Sequence, residues 1–145
     1  MRLAFDADAL IYAAAPEHPL GEKVWKLLQN LSLKGELFGS TLLLPELLSK
    51  PTRLGLQDEV DALLECLARL ELLPFDAATA SLAVDLGAAY KLKAPDAIHL
   101  ATAVTGGAQA FITNNTRDFK PDVVLEVRVV FPAELDGFEF EDGAP

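Results

Sequence analysis

Short apolar runs alternate along the chain with longer stretches of helical period. Arg2–Phe5 is an apolar run stopped by an acid, and Asp6–Ala13 then takes a helix-like pattern, so a strand, a tight turn and a helix are expected. Pro16 and Pro19 close that unit. Leu20, Val24, Leu27 and Leu31 recur at helical spacing, an amphipathic helix that Gly35 can cap. Leu37–Phe38 reads as a second short strand. Thr41–Leu44 can extend that strand or open a helix, but Pro45 belongs in a helix's first turn, which puts Glu46 just inside one. Between Asp58 and Leu70, the stripe of Val60, Leu63, Leu64, Leu67 and Leu70 marks another helix. Leu72–Phe75 is a brief strand, and Asp76 can N-cap a helix running through Tyr90. Ala94-Pro95-Asp96 opens a helix that Gly106-Gly107 ends, and Ala110–Thr113 and Val123–Phe131 are the last apolar strands.

Strands alternating with helices predict an α/β fold with a mostly parallel sheet covered on both faces. At 145 residues one domain is expected, and neither a repeat nor a linker divides it. Glu134–Pro145 carries five acids and no base, so the reading is a domain over 1–135 followed by an acidic C-terminal tail over 136–145. The single cysteine, Cys66, fits a reducing compartment. An acid at position 6 interrupts any signal-peptide core, and no apolar run reaches the roughly 20 residues of a membrane span, so a cytoplasmic protein is expected. A net charge of −10 argues against holding nucleic acid on a broad basic surface. It leaves room for a nuclease whose phosphate contacts run through metal ions held by carboxylates.

The carboxyl ends of the strands are where such a sheet forms its crevice. Asp6 ends the first strand, Asn114, Asn115 and Asp118 follow the fourth, and Glu46 and Asp96 each stand in a helix's first turn, where the dipole favours an anion. Singly, each has an ordinary structural explanation: Asp6 or Asp8 as an N-cap, Asp96 as a first-turn acid, Asp118 as a turn residue, Glu46 as a solvated helix residue. Gathered in one crevice, four carboxylates would repel one another unless a cation sat among them, and Mg2+ or Mn2+ suits such hard oxygen ligands.

Four segments carry a resemblance. Phe5-Asp6-Ala7-Asp8-Ala9-Leu10-Ile11-Tyr12, Pro45-Glu46-Leu47-Leu48, Pro95-Asp96-Ala97-Ile98-His99-Leu100-Ala101-Thr102-Ala103 and Ile112-Thr113-Asn114-Asn115-Thr116-Arg117-Asp118-Phe119 resemble the four motifs of PIN-domain ribonucleases. They are most similar to bacterial and archaeal toxins of the VapC type. The match runs from Leu3 to about Leu135, and its third and fourth motifs are the most specific. It implies a PIN-like three-layer fold, a small mostly parallel sheet flanked by helices, and divalent-metal hydrolysis of RNA phosphodiesters. Asp6, Glu46, Asp96 and Asp118 would then be the catalytic, metal-binding acids, with Thr113 and Asn115 supporting the fourth motif. The resemblance also implies a homodimer and a cognate antitoxin whose C-terminal segment crosses the active-site groove. The family usually has Ser or Thr directly after the first Asp, and this chain has Ala7 instead, so a hydroxyl that would orient Asp6 or a metal-bound water is missing.

In that chemistry a metal held by Asp6, Asp96 and Asp118 lowers the pKa of a bound water and neutralises the scissile phosphate, and Glu46 completes a second metal site or orients the attacking water. Lys50, Arg53, Lys91, Lys93, Arg117 and Lys120, half of the 12 basic residues, lie within seven residues of Glu46, Asp96 or Asp118. Lys50, Arg53, Lys93, Arg117 and Lys120 are candidate contacts to RNA phosphates, although lysine and arginine also solvate loop and helix ends. His99 is expected to be packed or hydrogen-bonded, Trp25 and Tyr12 to fill the core or an interface, and Asn114-Asn115 can equally serve as a simple turn. Two rivals stand beside the nuclease. One is a PIN-like binding module that has lost catalysis. The other is a haloacid-dehalogenase-type phosphatase using Asp6 and Asp8, which leaves Glu46 and the Asp96 motif unexplained.

Overall fold

The computed structural model describes residues 1–15 and 17–137. The apolar runs form five short strands: β1 (Leu3–Phe5), β2 (Leu37–Ser40), β3 (Glu71–Leu73), β4 (Ala110–Ile112) and β5 (Arg128–Val130). They pair in parallel throughout, in the order β3-β2-β1-β4-β5. Six helices connect and cover them: α1 (Ala7–Ala13), α2 (Pro19–Leu28), α3 (Leu43–Arg53), α4 (Gln57–Leu67), α5 (Ala77–Tyr90) and α6 (Ala94–Thr105). The expected α/β three-layer arrangement is thus found.

Alternation along the strands assigns the layers, because successive side chains point to opposite faces. Leu3 and Phe5 of β1, with Leu37, Ala110, Ile112 and Val130, pack against α1, α2, α3 and α4. Ala4, Phe38, Phe111 and Val129 face the other way, onto α5, α6 and Phe119. Gly106, at the end of α6, lies against the Phe38 ring, where an added Cβ would collide with it. The chain moves outward from β1 to β3 on one side and from β4 to β5 on the other, so β1 and β4 meet at the topological switch point. In open α/β sheets the functional crevice lies beyond the carboxyl ends of strands at such a point.

Several element ends differ from the sequence reading. The helix expected to include Leu31 stops at Leu28, because Asn30 caps a separate 3-10 turn by accepting from Ser32 N, and Leu31 is 81% exposed. Gly35, with φ +84, turns the chain into β2 rather than capping a long helix. Pro19 opens α2 behind His18, whose ring accepts from Leu20 N, whereas it was expected to close the preceding unit; Pro16 lies outside the described residues. The Val123–Phe131 strand contracts to Arg128–Val130. Its first half is apolar for another reason: Val124 and Val127 are buried against the α5–α6 layer, while the N–H groups of Val123 and Val124 turn back to Lys120 O. Of the expected acidic tail, Asp136 ion-pairs with Lys23 at 2.8 Å within a 3-10 turn over Pro132–Gly137, and 138–145 lies outside the described residues.

Candidate active site

The hydrogen bond from Asp6 N to Ile112 O ties the end of β1 to β4 and delivers the Asp6 side chain to the switch point. Asp6 is only 4% exposed. One of its carboxylate oxygens accepts from Ala7 N at 2.9 Å, as befits the N-cap of α1, and the other accepts from the Thr113 hydroxyl at 2.8 Å. Asp6 therefore has a hydroxyl donor despite Ala7, supplied from the end of β4. The same hydroxyl lies 3.3 Å from Asp8 Oδ1, which also accepts from Asn114 N at 3.0 Å. Burial, and then the neighbouring Asp8 charge, push the Asp6 carboxyl up to about 7 against the pull of His99, Thr113 and Ala7 N. Burial likewise raises Asp8, opposed by its bonds from Asn114 and Thr113.

A second pair of acids faces the first. Pro95 and Asp96 lie in the first turn of α6, as expected. The Asn115 amide donates to Asp118 Oδ2 at 3.0 Å and to Asp96 Oδ2 at 3.4 Å, while Asn115 Oδ1 accepts from Asp118 N at 3.1 Å. Asn115 thus makes the turn and ties two carboxylates with one side chain. Asp96 is raised by burial and then by Asp118, with Asp8 and Glu46 adding to the rise and His99 opposing it. Charges from α1, α3, α6 and the loop after β4 are therefore felt at one carboxyl group.

Glu46 arrives from α3, which begins where Ser40 turns the chain out of β2 by accepting from Leu42 N. Its side chain, 30% exposed, meets His99 Nε2 at 2.7 Å, and the same nitrogen lies 4.0 Å from Asp6 Oδ1. His99 is 2% exposed, packed and hydrogen-bonded as expected, but it lies among the acids. Burial alone would lower its pKa. The hydrogen bond to Glu46 and the charges of Asp6, Glu46 and Asp96 outweigh burial and hold it above its ordinary value. Its Nδ1 has no partner among the described residues.

Asp8 and His99 are the two members of this cluster that the sequence reading left outside the site. Asp8, two residues after Asp6, reads locally as a helix-start acid. His99 did carry a usable signal, since three residues after Asp96 on a helix is the same face. Close to the acids along the chain, Lys50, Arg53, Lys91, Lys93, Arg117 and Lys120 form no ion pair with a described residue, whereas Arg2, Lys23 and Lys26 are paired with Glu71, Asp136 and Glu22. Lys50 stands one turn after Glu46 on α3, Lys93 is the N-cap of α6, and Arg117 and Lys120 flank Asp118.

Among the described residues, no three Asp, Glu, His or Cys side chains form a ready coordination sphere. The donor chemistry nonetheless fits a hard divalent cation. The groups are carboxylates, Asp6, Asp8 and Asp96 are all raised, and mutual charge contributes to the rise of Asp6 and Asp96. Asn115 holds Asp96 and Asp118 near each other with an uncharged amide, a restraint that a cation of higher charge density can replace.

A family model described as PIN domain matches residues 3–121. Compared with curated proteins, the chain matches none. Its structure is similar to the DNA-bound VapBC from Salmonella typhimurium, with TM-score 0.71 and 17% identity over 91% of this chain and 98% of that one. It is similar to VapBC2 from Rickettsia felis bound to a promoter DNA fragment, with TM-score 0.70 and 17% identity over 90% and 98% of the two chains. A toxin–antitoxin complex from Klebsiella pneumoniae gives TM-score 0.67 and 24% identity over 91% and 98%.

Proposed function

The chain belongs to the PIN domain family, and from that premise we propose that it is a divalent-metal-dependent endoribonuclease and the toxin of a toxin–antitoxin pair. The observation that carries this reading is Asp6: a carboxyl group 4% exposed, raised to about 7, with Asp8, Asp96, Asp118 and Glu46 converging on the same crevice. Asp6, Glu46, Asp96 and Asp118 would hold Mg2+ or Mn2+, with Thr113 and Asn115 orienting them. When bound, the ion supplies Lewis acidity that lowers the pKa of water and offsets charge on the scissile phosphate.

The protein's own groups do the rest. Thr113 and Ala7 N fix the two oxygens of Asp6, and Asn115 fixes the spacing of Asp96 and Asp118. Glu46, the more exposed carboxylate, is held by His99 where it can orient the attacking water and accept its proton. Lys50, Arg53, Lys93, Arg117 and Lys120 gather the flanking phosphates. The toxin–antitoxin complexes of similar fold support a protein antitoxin as partner, and the same reading carries a homodimer and a cytoplasmic location. No helix among the described residues is long and apolar enough to cross a membrane.

The test is cleavage of a defined RNA by the purified chain and by Asp96→Asn, with Mn2+, with Mg2+ and with chelator. Internal cuts that need the metal and vanish in Asp96→Asn are expected. Cleavage indifferent to chelator, or none at all, counts against the reading. That no ready coordination sphere forms among the described residues favours, as second reading, a module that binds without catalysis, and such a protein would gain no thermal stability from Mn2+.

A further inference from the structure

We propose that the cavity beside Asp118, between the end of α5 and the loop leading to β5, receives the base of one substrate nucleotide, with an adjoining phosphate on Lys91 and Lys120. This rests on the ribonuclease reading above and names where that substrate is gripped. The cavity measures about 220 Å3 and is lined by Tyr90, Lys91, Asp118, Lys120, Val123 and Val124. Asp118 is shared with the acid cluster, so an occupant here lies next to the candidate scissile position. Drug-sized sites begin at about 300 Å3, so this smaller volume suits a single flat ring rather than a dinucleotide.

Three features point to a nucleotide. The Tyr90 ring is fixed in advance: its hydroxyl donates to Glu126 Oε2 at 2.6 Å and accepts from Leu125 N at 3.3 Å. A clamped aromatic face beside apolar Val123 and Val124 is what base stacking uses, and it tolerates different bases. Lys91 is the only non-glycine residue at positive φ among the described residues, at +56, in the left-handed C-cap of α5 where glycine is ordinarily favoured. A cation stands there against backbone preference. Neither Lys91 nor Lys120 forms an ion pair with a described residue, although the chain carries net charge −10. Two cations that pair with no described acid, an aromatic ring and an apolar wall together match a phosphate joined to a ring.

The experiment measures binding by fluorescence anisotropy, using labelled hexamers of each of the four ribonucleotides, the full chain, chelator to prevent cleavage, and a series of salt concentrations. Lys91→Gly is expected to weaken binding several-fold and to reduce the salt slope by about 0.7, the value of one phosphate contact on a single strand. Its melting temperature should stay level or rise, because glycine suits φ +56. Tyr90→Leu is expected to weaken binding at least about fivefold and to narrow the differences among the four hexamers, with Tyr90→Phe, which keeps the ring and loses its hydroxyl clamp, falling between Tyr90→Leu and the wild type in both. Wild-type binding that neither Lys91→Gly nor Tyr90→Leu changes overturns the proposal while leaving the ribonuclease reading standing. No binding of any hexamer by the wild type overturns the proposal, and the metal-dependent cleavage assay above then decides the ribonuclease reading by itself. If the variants instead lose affinity for a hexaglutamate peptide and keep it for RNA, the cavity docks a protein and the proposal fails.

Discussion

Replacing Asp6 by Asn tests the premise that this carboxylate is held at a cost to the fold. A rise from 3.8 to about 7 means the native state binds the extra proton across that interval while the unfolded chain has released it. Stability therefore falls as pH rises from about 4 to about 7 and levels off above that. At about 1.4 kcal/mol per unit, the ceiling of the effect is about 4 kcal/mol at pH 8. Asp8 and Asp96 are raised as well and act with the same sign. His99 is also raised, so its contribution is likewise present at low pH and lost as pH climbs through its folded value. Asparagine at position 6 escapes the ionisation cost and can still accept from Ala7 N. The Thr113 bond and the attraction to His99, which it gives up, both oppose the rise of Asp6 and are therefore already counted in that ceiling. A net gain of up to about 4 kcal/mol is expected for the metal-free variant at pH 8, at roughly 2–4 °C in melting temperature per kcal/mol. Near pH 4 the two proteins should melt alike. The assay is a set of thermal melts from pH 4 to 8 in chelator, repeated with Mn2+, alongside RNA cleavage. A variant less stable than wild type at pH 8 in chelator, or one with the same pH slope, refutes the reasoning. Cleavage surviving in the variant removes Asp6 from the site.

Mn2+ at about 100 times its dissociation constant should stabilise the wild type by about 2.7 kcal/mol, and Asp96→Asn by much less; equal shifts in thermal melts would mean Asp96 holds no metal. His99→Phe keeps most of the ring volume but frees Glu46, so RNA cleavage should fall by roughly 10–100-fold with the fold intact by circular dichroism, and an unchanged rate would deny that His99 positions Glu46. Gly21→Ala places a Cβ against the carbonyl oxygens of Tyr12 and Ala15, backbone that cannot swing aside, so α1 and α2 must part. A loss of about 1–3 kcal/mol by chemical denaturation is expected, with the Mn2+-induced shift of any folded protein preserved, and a neutral result would mean the two helices are loosely packed.

The order of strands and helices was legible because each strand is a short apolar run and most helices carry a stripe. Their ends were not, since apolar residues were read as strand or helix where packing alone explains them. Val124 and Val127 are apolar because they cover the α5–α6 layer from a loop, and nothing in their spacing distinguishes that from a strand. Leu31 continues the helical period of Leu20, Val24 and Leu27, but Asn30 takes over the capping of the next turn and leaves Leu31 in solvent. Local hydrogen bonding overrides periodicity in both places. At the candidate site, four acids stood out as a pattern, while Asp8 and His99 emerge only from distances: Asp8 through its contacts with Asn114 N and Thr113, His99 through Glu46.

Those distances also explain why the crevice forms at strands of only three residues. Backbone bonds from Asp6 N to Ile112 O and from Thr113 N to Val130 O carry the β1–β4–β5 connections just past the strand ends, so the side chains of Asp6 and Thr113 are set by the sheet itself. The acid loop after β4 is then tied down by side chains, with Thr113 accepting from Asn115 N and Asn115 bridging Asp96 and Asp118. Each tie is a neutral donor between anions, so it orders the carboxylates without cancelling their charge. Ordering and neutralisation are thereby divided between different agents: the fold supplies the first, at the stability cost read from Asp6, and the second is left to a cation or to a proton. Raising the pH in chelator withdraws the proton and adding Mn2+ supplies the cation, so the two should act in opposite directions on the same melting transition.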